Sequence, residues 1–567
     1  MAFEYKFGGK TISLPLDPSL MAVRFKEPAP REARAAHMAA LGAGPQQPRI
    51  ELPGEKFTLV PTAGGPMGFA GADLPGRMAM AAGSSSVARV APVFRLNGQT
   101  ILATDRLNIR FKSSVSEEES RRFIKRRGYE VLDEIEGAYV VRLPESADPF
   151  LEAARLDAIK SVEFAEPDFV TVGRHVAQGA TAVEPVATPE IALALAEPAE
   201  AGDPAPAVPA TDPYLSRQYA MTITRANKAW SILGPAVNSP IRIAVLDEGV
   251  DRNHEDLRIV GEYDATGNDL DQQPNGWDGH GTACAGLAGA KGKNNRGVRG
   301  VAPGFGVFAV RIAFSNTPGG PWVTSNSIIA RAISWSYKKG ADVLSNSWGG
   351  GAPSSLISGA FESARTLGRG GKGCVICVAA GNANLPIGFP ADLSNVLTVT
   401  ASNEFDQPKT PTSGDGETWW GSSYGAPADV AAPGVHNYTT DISGAAGYST
   451  GGVDLAGRAY AANYTPNFNG TSSATPIVAG AAALCLAVTP GLKESQVRQI
   501  IRSTADKVGG VYDASGFNPR MGQGRLNVYK AVKLAKATAP DSPGAPGAIP
   551  FLTANEPKPA SGVHTKG

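Results

Sequence analysis

The sequence predicts an α/β protein built on a doubly wound, mainly parallel sheet and preceded by a small α+β, ferredoxin-like unit. Three observations carry this. Residues 241–246, 307–312, 343–347 and 375–380 are short apolar runs without alternation, as expected of strands covered on both faces. Helical stretches, notably 325–339 and 354–367, lie between them, and strand–helix repetition of this kind argues for a parallel sheet. Upstream, residues 107–164 read strand, helix, strand, strand, helix, strand.

Taken in order, residues 1–90 hold a few strand-like pieces (10–16 and 57–61) among Ala, Gly and Pro, and are expected to form a partly disordered extension. The small unit spans 91–175. Residues 107–111 alternate as a strand, and Ser116-Glu-Glu-Glu119 is a capping-box signature opening a helix that Gly128 stops. Strands follow at 129–135 and 138–143 around the Glu136-Gly137 turn, then a helix at 147–159 and a last strand at 161–164. The basic cluster Arg121, Arg122, Lys125, Arg126, Arg127 reads as the solvated face of the first helix. Residues 176–211 are Ala/Pro-rich and form a linker, 212–538 carry the parallel-sheet domain, and 539–567 form a disordered tail.

At 567 residues the chain exceeds one compact core. Fifty-three basic and 53 acidic residues cancel, so no global field favours nucleic acid or an anionic membrane. Cys374 and Cys377 are spaced C-x-x-C, but they lie in an apolar run that reads as a buried strand. Positions three apart on a strand face opposite sides, so buried free thiols are expected rather than a metal or redox pair. The first ten residues lack the apolar core of a signal peptide, which makes cytoplasm the default location with non-classical export as the alternative. The longest apolar run, 477–488, is too short to span a bilayer.

That run follows Asn469-Gly-Thr-Ser-Ser-Ala-Thr-Pro476, a small-residue turn delivering Ser472 to a helix N-terminus, where developing negative charge is favoured. A serine there needs a base and an orienter. Of six histidines, His37 and His564 lie in weakly structured regions, His175 ends the small unit, and His254 and His436 sit in polar loops as solvated residues. His280 stands between glycines that permit close approach of another backbone. Asp247 ends the buried strand Ile243-Ala-Val-Leu-Asp247, and a carboxylate there can fix the tautomer of His280. Glu248 and Asp251, nearer the turn, are expected to be exposed. Asn382 follows another apolar strand through Ala379-Ala-Gly and would emerge at the same edge as an oxyanion donor.

Five segments together carry a resemblance: Ala244-Val-Leu-Asp-Glu-Gly-Val-Asp251, Gly279-His-Gly-Thr282, Ser345-Asn-Ser-Trp-Gly349, Ala379-Ala-Gly-Asn382 and Asn469 to Pro476. They look like the signature blocks of subtilisin-like serine proteases, in the family's order Asp, His, Ser. The resemblance covers about 212–532. It implies a serine endopeptidase working through an acyl-enzyme, with Ser472 as nucleophile, His280 as general base and then acid, and Asp247 as orienter. Asn382 and the Ser472 N–H would form the oxyanion hole, and Ser347, Trp348, Gly349, Ala380 and Gly381 would bind peptide substrate. The small upstream unit resembles the family's inhibitory propeptide, so an autoprocessed zymogen with its own pro-domain in the cleft is expected, cut near Arg174 or within the linker.

Several blocks resemble the kexin-like branch, but Trp348 to Ser354 holds none of the acids that branch uses for paired basic residues, so an apolar or mixed preference is expected. By position, Asp212, Asp256 and Asn294 match oxygen ligands of the family's structural calcium site. The acidic run Asp264, Asn268, Asp269, Asp271 is a less favoured candidate for another ion. No catalytic cofactor is implied. An esterase with the same triad would show a G-x-S-x-G elbow and the order Ser, acid, His, and neither fits. A silent binding scaffold is opposed by the complete set of catalytic side chains.

Overall fold

Short, mostly apolar strands satisfy their backbone groups inside a sheet covered on both sides, and a parallel sheet of seven strands holds four such runs here. The computed structural model describes residues 3–26, 31–40, 49–52, 55–62, 74–145, 147–176, 212–233 and 239–538. The expected linker from 177 onward and the tail from 539 lie outside these. The chain divides into two units, one of Met1–Arg174, Ser315–Arg331 and Gly350–Ala360, the other of His175–Phe314, Ala332–Gly349 and Phe361–Gly567.

In the second unit the sheet order is Ile259–Asp264, Gly306–Arg311, Arg242–Asp247, Val343–Asn346, Val375–Ala379, Leu397–Ser402, Val430–Pro433, and every pairing is parallel. The four strands expected from the sequence form its middle. Three were not expected, because Ile259–Asp264 carries Glu262 and ends on Asp264, while Leu397–Ser402 and Val430–Pro433 are diluted by Thr, Ser and Ala. Helix Thr471–Val488 is the centre of this unit's core, with 89% of its 18 residues' window buried. Its length and mean hydropathy of 1.6 would serve a membrane span, but Ala, Gly and Cys along it instead let neighbouring elements approach on all sides. Cys284, Cys374, Cys377 and Cys485 are all buried free thiols, and burial pushes the Cys374 thiol up to about 12.

The first unit is an antiparallel sheet in the order Trp322–Ser325, Val162–Gly173, Gln99–Phe111, Val87–Leu96, Leu16–Phe25, Glu55–Pro61, Arg49–Leu52. Ala138–Arg142 branches from Gln99–Phe111 and pairs with Glu130–Ile135. The expected β-α-β-β-α-β order is therefore present, its helices at Glu117–Arg126 and Pro149–Asp157, and the Ser116–Glu119 capping box forms as read. The extension differs from the expectation. Strands Leu16–Phe25, Glu55–Pro61 and Arg49–Leu52 pair into the same sheet, and the hairpin of Glu4–Phe7 with Lys10–Ser13, a two-stranded sheet of its own, brings Tyr5 and Phe3 onto Phe94, Phe150 and Phe169. Alternating apolar residues such as Met21 and Val23 supply the buried face, a pattern the surrounding Gly and Pro obscured.

The last strand is also longer than expected, because Glu166-Pro-Asp168 reads as a break. Both acids are fully buried and both are satisfied. Glu166 accepts from Ser354 Oγ at 2.6 Å, Ser355 N at 2.8 Å and Leu356 N at 3.2 Å, at the start of helix Ser355–Gly371. Asp168 accepts from Ser327 N at 2.9 Å and Ser327 Oγ at 2.7 Å. These bonds draw 315–331 and 350–360 into the first unit, away from the 212–538 boundaries expected. Burial raises the Glu166 carboxyl to about 7, against the pull of its three donors.

Replacing Glu166 with Ala strands those donors, at a cost of about 1–3 kcal/mol. Urea denaturation of Glu166→Ala should show a lower midpoint for the first unit's transition, with Glu166→Gln in between.

Candidate active site

Strand Arg242–Asp247 delivers Asp247 to the sheet's carboxyl edge, where it is 5% exposed. Helix His280–Gly289 begins on the histidine. His280 Nδ1 lies 2.8 Å from Asp247 Oδ1 and 3.0 Å from Oδ2, so the ring donates to the carboxylate and leaves Nε2 as the basic nitrogen. The approach requires Gly281, since a Cβ there would stand 2.1 Å from the Gly249 carbonyl oxygen. Burial acts to raise the Asp247 carboxyl, but the His280 charge and hydrogen bond, with His175 and the Glu248 amide, outweigh it and hold the acid below its ordinary value.

Ser472 sits in the first turn of helix Thr471–Val488. Its hydroxyl donates to the Ser347 carbonyl at 3.1 Å, and the Ser347 hydroxyl donates back to the Ser472 carbonyl at 2.9 Å. The Cys284 thiol, 3.8 Å from His280 Nδ1, donates to the same Ser472 carbonyl at 3.5 Å and so ties the two helices together. That carbonyl is open to both because Pro476, four residues on, has no N–H to give it.

Asn382 follows strand Val375–Ala379. Its Oδ1 accepts from Thr471 N at 2.8 Å and Thr471 Oγ1 at 2.9 Å, which fastens Asn382 to the residue before Ser472. Gly470 has φ 111°, and a Cβ there would lie 3.4 Å from both Asn382 Nδ2 and Ser472 N. Asn382 Nδ2 and Ser472 N are therefore close neighbours of one point on the turn before the helix.

The expected substrate-binding residues line the same edge. Ser347 is bonded to Ser472 as above, Trp348 stacks on Phe361 with centroids 6.2 Å apart, and Gly349 lies near the carbonyl oxygens of Phe389 and Ala379. Ala380 N donates to Val399 O at 2.9 Å, and Gly381 N to Thr471 Oγ1 at 3.2 Å. Thr471, overlooked in the sequence, orients Asn382; its place directly before the serine was the available signal.

Two expectations on exposure are corrected. Glu248 and Asp251 are each 3% exposed, because the turn after the strand folds under residues 443–448 rather than out to water. His254 and His436 are not solvated either. His254 binds Asn463 O at 2.9 Å and accepts from Asp256 N. His436 stands 3.1 Å from Glu404 and 3.4 Å from Glu417, and Glu417 in turn accepts from Asn469 Nδ2 at 2.8 Å. Burial would lower the His436 pKa, but the two glutamates raise it to about 10.

The predicted cation ligands converge. Asn294 N donates to Asp212 Oδ1 at 3.1 Å and Asn294 Nδ2 to Asp256 Oδ1 at 2.7 Å. Arg299 pairs with Asp212, so one carboxylate is neutralised within the chain. Asp256 instead accepts from Asn294 Nδ2 and Val298 N, and its carboxyl is raised by burial, with the Asp212 charge adding to the effect. The two carboxylates are the donor type a divalent cation takes, and Asn294 would have to turn its Oδ1, here accepting from Arg296 N, to join them. The acidic run closes its own loop instead: Asp264 Oδ1 accepts from Thr266 and Gly267, Asn268 Oδ1 from Tyr263, Asp269 Oδ1 from Asp271 N, and Asp271 pairs with Arg252.

Residues 238–524 match the model of the Subtilase family. Thermitase of Thermoactinomyces vulgaris is 35% identical over 326 residues, 57% of this chain and 98% of the relative. A calcium-dependent protease of a Nostoc strain is 37% identical over 329 residues, 53% of this chain and 47% of the relative, so the chain spans about half the length of that protein. Among solved structures, fervidolysin from Fervidobacterium pennivorans superposes with a TM-score of 0.53 at 22% identity, covering 76% of this chain and 61% of the other, a likeness of fold.

A group whose pKa is raised on folding stabilises below its unfolded value and loses that contribution as pH rises through the folded value. The thermal stability deficit of His436→Gln against the unaltered chain should be full below pH 6.5 and vanish as pH climbs through about 10, followed by melting curves across that range.

Proposed function

The chain belongs to the Subtilase family, and on that premise we propose that it is a serine endopeptidase that hydrolyses peptide bonds of proteins through an Asp247–His280–Ser472 triad and an acyl-enzyme. The carrying observation is the buried Asp247–His280 pair at 2.8 Å, on a helix whose Cys284 is bonded to the Ser472 carbonyl, with Asn382 bonded to Thr471 beside it.

Chemistry follows from the donors. His280 Nε2 takes the Ser472 proton as Oγ attacks the carbonyl carbon, and the imidazolium is stabilised by an Asp247 that stays ionised. The carbonyl oxygen gains charge between Asn382 Nδ2 and the Ser472 amide, in a water-poor setting that strengthens both bonds. The same imidazolium then gives its proton to the leaving amine, and water repeats the sequence on the acyl-enzyme. Ser347 holds the serine hydroxyl until substrate arrives.

The enzyme is made as a zymogen whose 91–175 segment restrains it until the chain cuts itself. In support, His175, two residues beyond the end of strand Val162–Gly173, lies with its ring on His280, centroids 3.9 Å apart. A divalent calcium ion bound by Asp212, Asp256 and Asn294 stabilises the fold; it takes no part in the reaction. The relatives named for calcium dependence support this assignment.

A fluorophosphonate probe should label the purified protein and fail on Ser472→Ala, which should also stay at full mass on a gel; equal labelling, or equal mass for both proteins, contradicts the reading. Asn382→Leu should lose roughly 10²–10³ in turnover, a magnitude that comes from subtilisin itself.

Chelation should lower the melting temperature and added calcium restore it, by up to about 2.7 kcal/mol at a hundredfold excess over Kd. Asp256→Ala should melt at one temperature with or without chelator.

A further inference from the structure

We infer that Glu417 and His436 are positioning residues for the nucleophile: together they grip the Asn469 side chain at both ends and so fix the turn that presents Ser472. The inference rests on the protease reading of the site and adds to it two residues that act on the serine only through its backbone.

Asn469 is 1% exposed, and both ends of its amide are engaged. Its Oδ1 accepts from His436 N at 2.7 Å, while Nδ2 donates to Glu417 Oε1 at 2.8 Å and to Asn467 Oδ1 at 3.1 Å. The segment around His436 takes hold of the turn at two further points. Gly470 N donates to Gly434 O at 2.9 Å, and Asn437 Nδ2 donates to Ser473 Oγ at 3.0 Å. Residues 434–437 therefore bind Asn469, Gly470 and Ser473, and Ser472 lies within that span.

His436 has φ 51°, a left-handed backbone in which glycine would carry no strain. A side chain kept there needs a task, and the imidazole has one. Its Nδ1 stands 3.1 Å from Glu404 Oε1, and its Nε2 3.4 Å from Glu417 Oε1, the oxygen that receives Asn469. Glu417 is also held by Trp420 Nε1 on its other oxygen and by Lys409 on its carbonyl. A carboxylate only 2% exposed keeps its charge beside a cation, and Lys409 is committed to Asp415 at 2.9 Å, so the cation for Glu417 is His436.

The charged groups facing the ring are Glu404 and Glu417, with the Lys409–Asp415 pair beyond the second. The Tyr219 phenol is pushed well above its ordinary range by burial, with the Glu404 charge adding, and stays neutral. Burial pulls the His436 pKa down, but the two glutamates carry it up to about 10. Above that pH the ring is neutral between two carboxylates, Glu417 loses its cation, and the grip on Asn469 loosens.

The test uses purified active protein at a temperature where melting curves show each variant folded. The rate at which a fluorophosphonate labels Ser472 should fall in the unaltered chain as pH rises through about 10. At about pH 8 it should be roughly tenfold lower in Glu417→Gln and in His436→Gln, and the upper fall should be absent from His436→Gln. Peptide kcat should drop by the same factor with KM held within about twofold, because no substrate contact is removed. His436→Gly removes the imidazole while relieving the left-handed backbone, so the same loss in that variant belongs to the side chain and not to strain. Labelling of all three variants at the unaltered rate, or an upper fall that survives in His436→Gln and His436→Gly, overturns the proposal. An unaltered chain that takes no probe refutes the protease reading and this proposal together, whereas a labelled chain indifferent to these substitutions refutes the proposal alone.

Discussion

One missing hydrogen governs the arrangement of the second unit. Pro476 cannot donate to the carbonyl of Ser472, and that carbonyl becomes the anchor for two other elements, through the Ser347 hydroxyl at 2.9 Å and the Cys284 thiol at 3.5 Å. The first bond fastens the helix to the end of strand Val343–Asn346, the second to the helix that carries His280. A proline inside the first turns of a helix is tolerated because few intrahelical bonds are lost there. Here the lost bond is replaced by two that tie the helix to the Ser347 segment and to the helix carrying His280.

Around that anchor, buried charges are arranged in pairs, and each pair explains a residue that looks out of place in the chain. Asp247 is buried against His280 and Glu248 against His175. Lys409 is fully buried yet 2.9 Å from Asp415, with the Trp420 ring 5.0 Å away. Pairs of this kind add little net stability compared with apolar packing, but removing one partner leaves a bare charge. They therefore define which conformation is allowed more than how stable it is.

The central strands and the positions of Asp247 and Asn382 were legible because local pattern determines them: an apolar run must end at a sheet edge, and whatever follows it arrives there. His280 and Ser472 were legible from the small-residue turns that open their helices. What was not legible depended on distant partners. Glu166-Pro-Asp168 looks like a break until Ser354, Ser355, Leu356 and Ser327 are known to receive it. Glu248 looks exposed until residues from 443 onward and His175 cover it. The strands within residues 1–90 were hidden for a related reason, since a strand's partner lies far along the chain and its composition alone does not name it. Polar residues in the interior mark sites that only tertiary structure can justify.

The backing of the nucleophile also differs in kind from its front. Behind it, Asn469 is held by Glu417, which accepts from Trp420 and faces His436, while Lys409 donates to the Glu417 carbonyl and binds Asp415. Every member has several bonds, so the turn before Ser472 has one arrangement. In front, Ser472 makes one bond through its hydroxyl, to Ser347. The proposed nucleophile must move its proton without moving its backbone. A rigid polar network behind and a single hydroxyl bond ahead suit both conditions, which gives a reason for so much buried polarity behind one serine.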